Sequence, residues 1–277
     1  MSLLQEVPVR TAAWLLRAFK SFPGRWRLSN YALRRVRELG PWMGRACVRT
    51  HYGYRMELRL NDWGDQHIYA TGSYEDSTAQ TMASLLKNPA GESGGLCVDI
   101  GASTGFFTLL MATHVGTGGE VWAFEPAPQT RERLHRNIAI NQLAHITVRS
   151  EAASDTAGNT PFFDGPSDHS GVASLRPLDS TSTPFEVRTC RLVDCLPSSA
   201  KVHLIKLDVE GAEHKALLGM APLLQAQHPD LILELSDGFL KQMGSSAAEV
   251  HAMLVQNIWW NMVSSSVIGV SAVKPTT

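Results

Sequence analysis

Two carboxylate side chains lie where two successive predicted strands end. Asp99 comes just before a turn with Gly101 and Gly105, and Glu125 ends the next predicted strand. Glycines in a strand-to-helix turn let a ligand approach the backbone closely, and the helix that follows offers free N–H groups. A carboxylate at the tip of the second strand can accept both hydroxyl protons of a ribose. Together these features predict a nucleoside site at one edge of a parallel sheet.

The spacing of the turn distinguishes between nucleoside cofactors. Turns that bind NAD or FAD follow the pattern G-x-G-x-x-G, whose middle glycine makes room for a pyrophosphate. Ser103 or one of its neighbours stands at that place here, so a phosphate-free nucleoside fits better. S-adenosylmethionine is such a nucleoside, and we expect it to be the cofactor. Read alone, the turn is a weak signal, and Glu125 alone is also typical of a charge at a helix N-terminus.

The elements that must position these residues alternate along the chain. Apolar strands are predicted over 96–100, 120–124, 146–149, 204–207 and 231–235. Helices are predicted between them, over 106–115, 129–141 and 212–226. Short apolar strands that alternate with helices of this length indicate an α/β fold with a mostly parallel sheet covered on both faces. After them we expect a helix over 251–260 and a single closing strand over 266–273.

The chain as a whole is predicted to divide into an N-terminal extension and a main domain that contains this repeat. Residues 1–70 are predicted to form a helical and short-strand extension, with helices over 9–20 and 28–39 and strands over 47–49 and 55–60. Residues 71–277 then form the main domain, which starts with a helix over 74–86. A β-hairpin insertion is predicted at about 155–195. It follows the third strand, near the carboxyl ends where open α/β sheets bind ligands.

Longer motifs resemble one known family. The segments 98–107 and 123–126, with Leu-Ile-Lys-Leu-Asp-Val-Glu-Gly-Ala-Glu at 204–213 and Gly-Ser-Tyr-Glu at 72–75, resemble the FkbM-type methyltransferases. The resemblance implies a class I (Rossmann-like) methyltransferase fold and methyl transfer to hydroxyl oxygens of natural products or sugars. Ser103 departs from the Asn common in the family, and Val193 departs from a usual second Asp before Asp194. The single predicted closing strand also departs, because a complete methyltransferase sheet has two.

The resemblance and the strand order together imply a set of cofactor contacts. Those carried over by motif are Asp99, Gly101, Ala102, Gly105 and Glu125. Tyr74 and Glu75 are expected to reach the methionine end of the cofactor. Glu151 and Ala152, which follow the third strand, are expected at the adenine edge.

Transfer to a hydroxyl also needs a group that takes the hydroxyl proton. We expect Asp208 or Glu210, at and just beyond the end of the fourth strand, to act as the base or to orient the acceptor. Glu234, which ends the fifth strand, comes next. His169 in the insertion is a further candidate base, and Lys206 is expected to pair with a strand-end carboxylate. No histidine spacing typical of a metal site accompanies these carboxylates, so we expect no metal.

Composition and charge restrict the class of protein. The chain is 44% hydrophobic and 18% charged, which is typical of a globular protein. The four cysteines lack the spacing of a disulfide framework, and neither a membrane-spanning run nor a signal peptide is evident, so we expect a cytoplasmic protein. The net charge of −1 is uneven. Residues 1–50 carry ten Lys or Arg against Glu6 and Glu38, a net charge of +8, which leaves −9 for the remainder.

The uneven charge indicates which classes of partner the protein is expected to bind. The basic segment is either a solvated helical cover or a surface for an anionic partner, and we expect at most weak contact with a membrane surface. The acidic remainder argues against nucleic acid. The expected partner is therefore a small-molecule or saccharide acceptor. An RNA O-methyltransferase and a non-catalytic S-adenosylmethionine-binding module remain as alternatives.

Overall fold

The computed structural model describes residues 3–86, 95–166, 168, 171, 173–175, 183–258, 260–264 and 270–275. The helices are α1 (Leu3–Ala18), α2 (Arg25–Met43), α3 (Trp63–Thr71), α4 (Asp76–Leu86), α5 (Phe106–Val115), α6 (Pro128–Ala139), α7 (Leu192–Cys195), α8 (Glu213–Gln227), α9 (Asp237–Gln242) and α10 (Ala247–Ile258). The strands are β1 (Arg45–Arg49), β2 (Arg55–Arg59), β3 (Leu96–Ile100), β4 (Glu120–Phe124), β5 (Ile146–Arg149), β6 (Ala152–Ala153), β7 (Gly158–Phe162), β8 (Phe185–Cys190), β9 (Val202–Leu207), β10 (Asp230–Glu234), β11 (Trp260–Ser264) and β12 (Val270–Pro275).

A seven-stranded sheet forms the centre, in the order β11-β12-β10-β9-β3-β4-β5. The five strands from β10 to β5 in that order are parallel, whereas β12 is antiparallel to β10 and β11 is antiparallel to β12. Parallel strands are joined by helical crossovers that cover the sheet. The predicted class I methyltransferase fold, with its N-terminal extension and hairpin insertion, is confirmed.

The prediction of one closing strand is wrong. Two strands, β11 and β12, follow β10, so the sheet has its full complement. The predicted helix over 251–260 begins earlier and ends at Ile258. Trp260–Ser264 contains aromatic and β-branched residues that suit a strand, and it pairs with Val270–Pro275. The apolar character of 251–260 did not show where the helix gives way to the strand.

Successive residues of the central strands face two different cores. Cys97 of β3 and Leu204 of β9 lie in a core with α5, whereas Val98 and Ile205 lie in a core with α8 and α10. This alternation follows from the two-residue period of a strand. Every residue of β3 is buried, which explains its continuous apolar run.

The N-terminal extension belongs to the first of these cores. Leu16 of α1 and Met56 of β2 share it with Leu110 of α5. The Tyr54 hydroxyl donates a hydrogen bond to the backbone oxygen of Phe106 at 2.8 Å. Helix α3, which the sequence analysis missed, runs across the predicted boundary at residue 70. Buried residues on both sides of that boundary belong to the same core. The boundary itself stays a prediction.

The insertion forms a small sheet of its own, in which β8 pairs antiparallel with β7 and parallel with β6. Its predicted histidine, His169, lies outside the described residues. In the part of the chain that the structure describes, we find no helix with the length and apolar character needed to cross a membrane.

Candidate active site

The turn after β3 is built around Gly101 and Gly105, which both have left-handed backbone, with φ of +82° and +97°. A Cβ atom at Gly101 would collide with the backbone oxygen of Asp208, and one at Gly105 would lie 2.5 Å from Cδ1 of Leu134. Protein atoms therefore fill the space beside both glycines. The missing side chains thus make room for the end of β9 and for α6, and the approach of a ligand to this turn stays a prediction.

Glu125 joins the two turns at this edge of the sheet. Its Oε2 accepts a hydrogen bond from the backbone N–H of Ser103 at 2.8 Å, and its Oε1 accepts one from Ala127 at 2.9 Å. The side chain is buried, and burial raises the pKa of Glu125 to about 7 despite these two donors. A carboxylate oxygen has two lone pairs, so each oxygen can accept one more hydrogen bond from the cavity.

Asp99 lies beneath the cavity rather than in its wall. It is fully buried, and its Oδ2 accepts a hydrogen bond from the Thr108 hydroxyl at 2.6 Å, while its Oδ1 has no hydrogen-bond partner. Burial raises the pKa of Asp99. In the sheet, Asp99 is level with Lys206 of the adjacent strand β9. The two side chains thus share the face of the sheet that carries α5.

Lys206 is a buried ammonium among carboxylates. Its Nζ donates to Oδ2 of Asp208 at 3.0 Å and lies 4.9 Å from the centre of the Phe107 ring. Burial alone lowers the pKa of Lys206, but Asp208, Asp99 and Glu75 raise it on balance, so the amine stays charged. The predicted pairing of Lys206 with a strand-end carboxylate is confirmed.

Two further carboxylates complete this group. Burial, with the nearby charge of Asp208, raises the pKa of Glu234 at the end of β10. Burial also raises the pKa of Glu75, although Lys206 lowers it in part. The Oε2 atom of Glu75 is buried and has no hydrogen-bond partner. We call Glu75, Asp99, Lys206, Asp208 and Glu234 the buried charge cluster.

Backbone strain is concentrated at the same place. Among the residues that the structure describes, five non-glycine residues have positive φ. Three of them line one cavity, namely Glu75, Ser103 and Glu210. Such backbone conformations cost energy and occur where the surrounding structure requires them, which is frequent at functional sites.

One cavity contains most of the side chains singled out from the sequence. Ten of the twelve predicted site residues line it: Tyr74, Glu75, Gly101, Ala102, Glu125, Glu151, Ala152, Asp208, Glu210 and Glu234. Asp99 and Gly105 do not line it, because Asp99 lies beneath the wall and Gly105 packs against Leu134. The cavity extends from the turn after β3 to the end of β10. The described residues contain no group of three or more His, Cys, Asp or Glu side chains arranged to hold a metal ion.

Several lining residues were missed by the sequence analysis. Asp62, Gly64, Asp65 and Ile68 come from α3 and its N-cap, and Phe162 comes from the insertion. The spacing of Asp62 and Asp65 is a signal that could have found the start of α3. The Asp62 carboxylate accepts hydrogen bonds from the backbone N–H groups of Gly64 and Asp65, as an N-cap does.

A buried ion-pair group attaches α3 to the main domain. Arg133 of α6 lies with Nη1 3.7 Å from Oδ2 of Asp62, and its Nη2 pairs with Asp65. Asp65 also accepts a hydrogen bond from the backbone N–H of Arg59 at 2.6 Å. Burial raises the pKa of Asp65 to about 7, although Arg133 acts in the opposite direction. This group fixes the wall of the cavity that α3 provides.

The chain matches the family model of the methyltransferase FkbM domain over residues 99–258. It belongs to the FkbM methyltransferase family. Methyltransferase 1 of Beauveria bassiana (strain ARSEF 2860) is 31% identical over 155 residues, which cover 49% of this chain and 60% of that protein. Methyltransferase sdnD of Sordaria araneosa is 28% identical over 171 residues, which cover 50% and 63%. The chain therefore spans less than two thirds of the length of both curated relatives.

Among solved structures, the crystal structure of methyltransferase FkbM from Methylobacillus flagellatus KT is similar to this chain. The sequence identity is 17% and the TM-score is 0.44, and the match covers 78% of this chain and 61% of that one.

The departures from the FkbM pattern have modest structural consequences in this family member. Ser103 contacts Glu125 through its backbone N–H, which any residue except proline provides. Asp194, preceded by Val193, forms an ion pair with Arg191 at 3.3 Å, and the Asp194 side chain is exposed. Neither Val193 nor Asp194 lines the cavity. Glu213 of the FkbM motif is structural, because its Oε1 accepts hydrogen bonds from the backbone of Val209 and Gly211.

Proposed function

We propose that this chain transfers a methyl group from S-adenosylmethionine to a hydroxyl oxygen of a small molecule, such as a natural product or a sugar. The observation that carries the proposal is the extent of the cavity. Glu125, a carboxylate suited to a ribose, lines one part of it, and Glu75, Asp208 and Glu234 of the buried charge cluster line another. When bound, the cofactor supplies a methyl group activated on a sulfonium.

The residues present fit such a cofactor. Glu125 has one free lone pair on each oxygen for the ribose hydroxyls, since backbone N–H groups use the others. Glu75 has a buried oxygen without a partner, which suits the ammonium of the methionine end. Glu151 is held by Arg149 at 2.8 Å, which lowers the pKa of Glu151 and keeps it an acceptor for the amino group of adenine.

At the acceptor end we propose Glu234 as the general base. Burial and the charge of Asp208 raise the pKa of Glu234, which makes it a stronger base than an ordinary carboxylate. Asp208 is engaged by Lys206, so its role in this proposal is to position the acceptor. From the sequence, Asp208 and Glu210 are the first candidates for the base and Glu234 is the next. Because Asp208 forms an ion pair with Lys206, Glu234 is the better candidate of these two.

The first experiment measures cofactor binding. Titration calorimetry with S-adenosylhomocysteine should give at least about tenfold weaker binding for Glu125→Ala than for the wild type, because the ribose hydroxyls lose a charged acceptor. Glu120→Ala, which removes an exposed carboxylate at the start of β4, the strand that precedes Glu125, is the matched control and should bind as the wild type does. Unchanged affinity in Glu125→Ala would remove this residue from the ribose. Absence of binding to the wild type would refute the proposed cofactor.

The second experiment tests the reaction. Incubation with methyl-labelled S-adenosylmethionine and a panel of sugars, polyketides and lipids should yield a labelled ether. Glu234→Gln should lose kcat and keep its affinity for S-adenosylhomocysteine. Labelling of RNA alone would support the RNA O-methyltransferase instead. The presence of two closing strands where the sequence predicted one supports a complete sheet and favours the enzyme over the non-catalytic module. A cytoplasmic location is part of the proposal, supported by the free thiols of all four cysteines.

A further inference from the structure

Exposed aromatic side chains are concentrated on the N-terminal helices. Eight large hydrophobic side chains are exposed in the described part of the chain, and five of them belong to α1, α2 and the turn between them. These five are Val7, Trp14, Phe19, Trp26 and Trp42. Trp26 is 66% exposed and Trp42 is 76% exposed. Tryptophan is seldom left this accessible without a partner, because its ring loses the free energy of burial.

The helical spacing shows which way these side chains face. Val7, Arg10 and Trp14 follow one another at intervals of three and four residues, so they share one face of α1. Val9 and Leu16 of the same helix are buried in the core, on the opposite face. The exposed side chains of α1 therefore point away from the molecule. On α2, Trp42 follows Trp26 by sixteen residues and lies about 160° around the helix from it, so only Trp26 is grouped with the α1 side chains. We call the exposed side chains of α1, of the connecting turn and of the Trp26 side of α2 the N-terminal face.

The N-terminal face is strongly basic. Residues 1–50 carry a net charge of +8, and the two acidic side chains among them are both engaged. Glu6 pairs with Arg10 at 2.8 Å, and Glu38 pairs with Arg35. On α1, α2 and their connecting turn, Lys20, Arg27, Arg34 and Arg37 are exposed and form no ion pair with a described acidic side chain, whereas Arg17 turns inward to the backbone oxygen of Tyr69. These four side chains present positive charge beside the exposed rings. A surface of this kind is complementary to an anionic partner that also accepts apolar rings.

We propose that the N-terminal face docks on the surface of an anionic phospholipid bilayer. Tryptophan rings are stable at the level of the headgroups, and arginines are attracted to anionic lipids. The remainder of the chain carries a charge of −9, which would repel a long polyanion that extends past the face. A bilayer lies in one plane and contacts the face alone, so the charge distribution favours a membrane over RNA.

The docking surface adjoins the cavity. The guanidinium carbon of Arg37 on α2 lies 5.8 Å from the centre of the Trp63 ring, at the start of α3. The neighbours of Trp63 in the chain, Asp62 and Gly64, line the cavity. Docking through the N-terminal face would therefore bring this rim of the cavity close to the lipid headgroups.

Vesicle flotation of the full chain tests the proposal. The protein should float with vesicles that contain phosphatidylglycerol and remain behind with vesicles of phosphatidylcholine alone. Binding should be largely lost at about 0.5 M salt, because salt screens exposed charges. Two double variants divide the contributions: Trp14→Ala/Trp26→Ala removes the rings, and Arg27→Gln/Arg34→Gln removes charge. Each should lower the partition coefficient by about tenfold or more.

The matched control is Lys215→Gln/Leu218→Ala, which removes one exposed charge and one exposed apolar side chain from α8. It should partition as the wild type does. All variants should keep the circular dichroism spectrum of the wild type, since the altered side chains are exposed. Equal binding to both kinds of vesicle, absence of binding, or an equal loss in the control would overturn the proposal.

Two further outcomes would assign the face to another partner and overturn the proposal. The first is that an RNA oligonucleotide releases the protein from the vesicles at a concentration below that of the anionic lipid. The second is a self-association in sedimentation without vesicles that Trp14→Ala/Trp26→Ala abolishes. The vesicle measurement needs no cofactor or acceptor, so its result is independent of the proposed methyl transfer.

Discussion

Replacing Lys206 by methionine removes a buried ammonium and leaves its carboxylate partners in place. The Lys206 side chain is 3% exposed, and its Nζ lies 3.0 Å from Oδ2 of Asp208. Opposite unit charges about 4 Å apart at an effective dielectric constant of about 20 interact by about 4 kcal/mol. Removing one partner of a buried pair costs about 3–5 kcal/mol. Because Asp208 is 24% exposed, we expect the lower end, a loss of about 3 kcal/mol in the free energy of unfolding near pH 7.

The size of this loss should depend on pH. Burial already raises the pKa of Glu75 and Glu234 in the folded protein, and the pKa of both rises further without the ammonium. A carboxyl whose folded pKa exceeds its unfolded value contributes stability below the unfolded pKa, and this contribution is lost as pH rises through the folded pKa. Lys206→Met should therefore lose less stability at about pH 5 than at about pH 8.

Urea denaturation followed by circular dichroism measures both effects. The double variant Lys206→Met/Asp208→Asn should recover part of the lost stability, since one uncompensated charge is gone. Lys215→Met, an exposed lysine on α8, is the control and should change the free energy of unfolding by less than about 0.5 kcal/mol. The reasoning would be refuted by a loss below about 1 kcal/mol, a loss independent of pH, or a double variant no better than the single one.

Three further predictions concern the walls of the cavity. Gly101→Ala should lose about 2 kcal/mol more unfolding free energy than Gly116→Ala, because both have positive φ but only the first meets backbone; equal losses in denaturation would contradict this. Arg133→Met leaves Asp65 without its ion-pair partner and should lower the free energy of unfolding by about 3 kcal/mol. An unchanged free energy of unfolding in urea would contradict the buried pair. Affinity for S-adenosylhomocysteine should fall about tenfold per pH unit below pH 7 as Glu125 protonates, and calorimetry on Glu125→Gln should show no such slope.

The centre of the fold could be predicted because its inner strand β3 is buried along its whole length and β4 is mostly buried, although β5 at the edge of the sheet is partly exposed. The strands β3, β4 and β5 and the helix α5 have the predicted bounds, since each is an apolar run between glycines or charged residues. The carboxylates at the strand ends also meet in one cavity, because the carboxyl ends of parallel strands lie at one edge of the sheet.

Helix α3 could not be predicted from periodicity. Asp65, Gln66, Ile68 and Tyr69 are all buried, so polar and apolar residues are inside together and no amphipathic pattern forms. The polar members are buried because they find partners far away in sequence, such as Arg133 for Asp65. Pairing of this kind depends on tertiary structure, and a local pattern does not contain it.

The shared core of the N-terminal helices and α5 also affects how the molecule unfolds. Leu16 and Met56 belong to the same core cluster as Leu110, so we expect a fragment that begins at residue 71 to expose part of this core to water. Such a fragment would aggregate more readily than the whole chain. We therefore expect the segment 99–258, which the family model matches, not to fold cooperatively without the N-terminal residues that share its core.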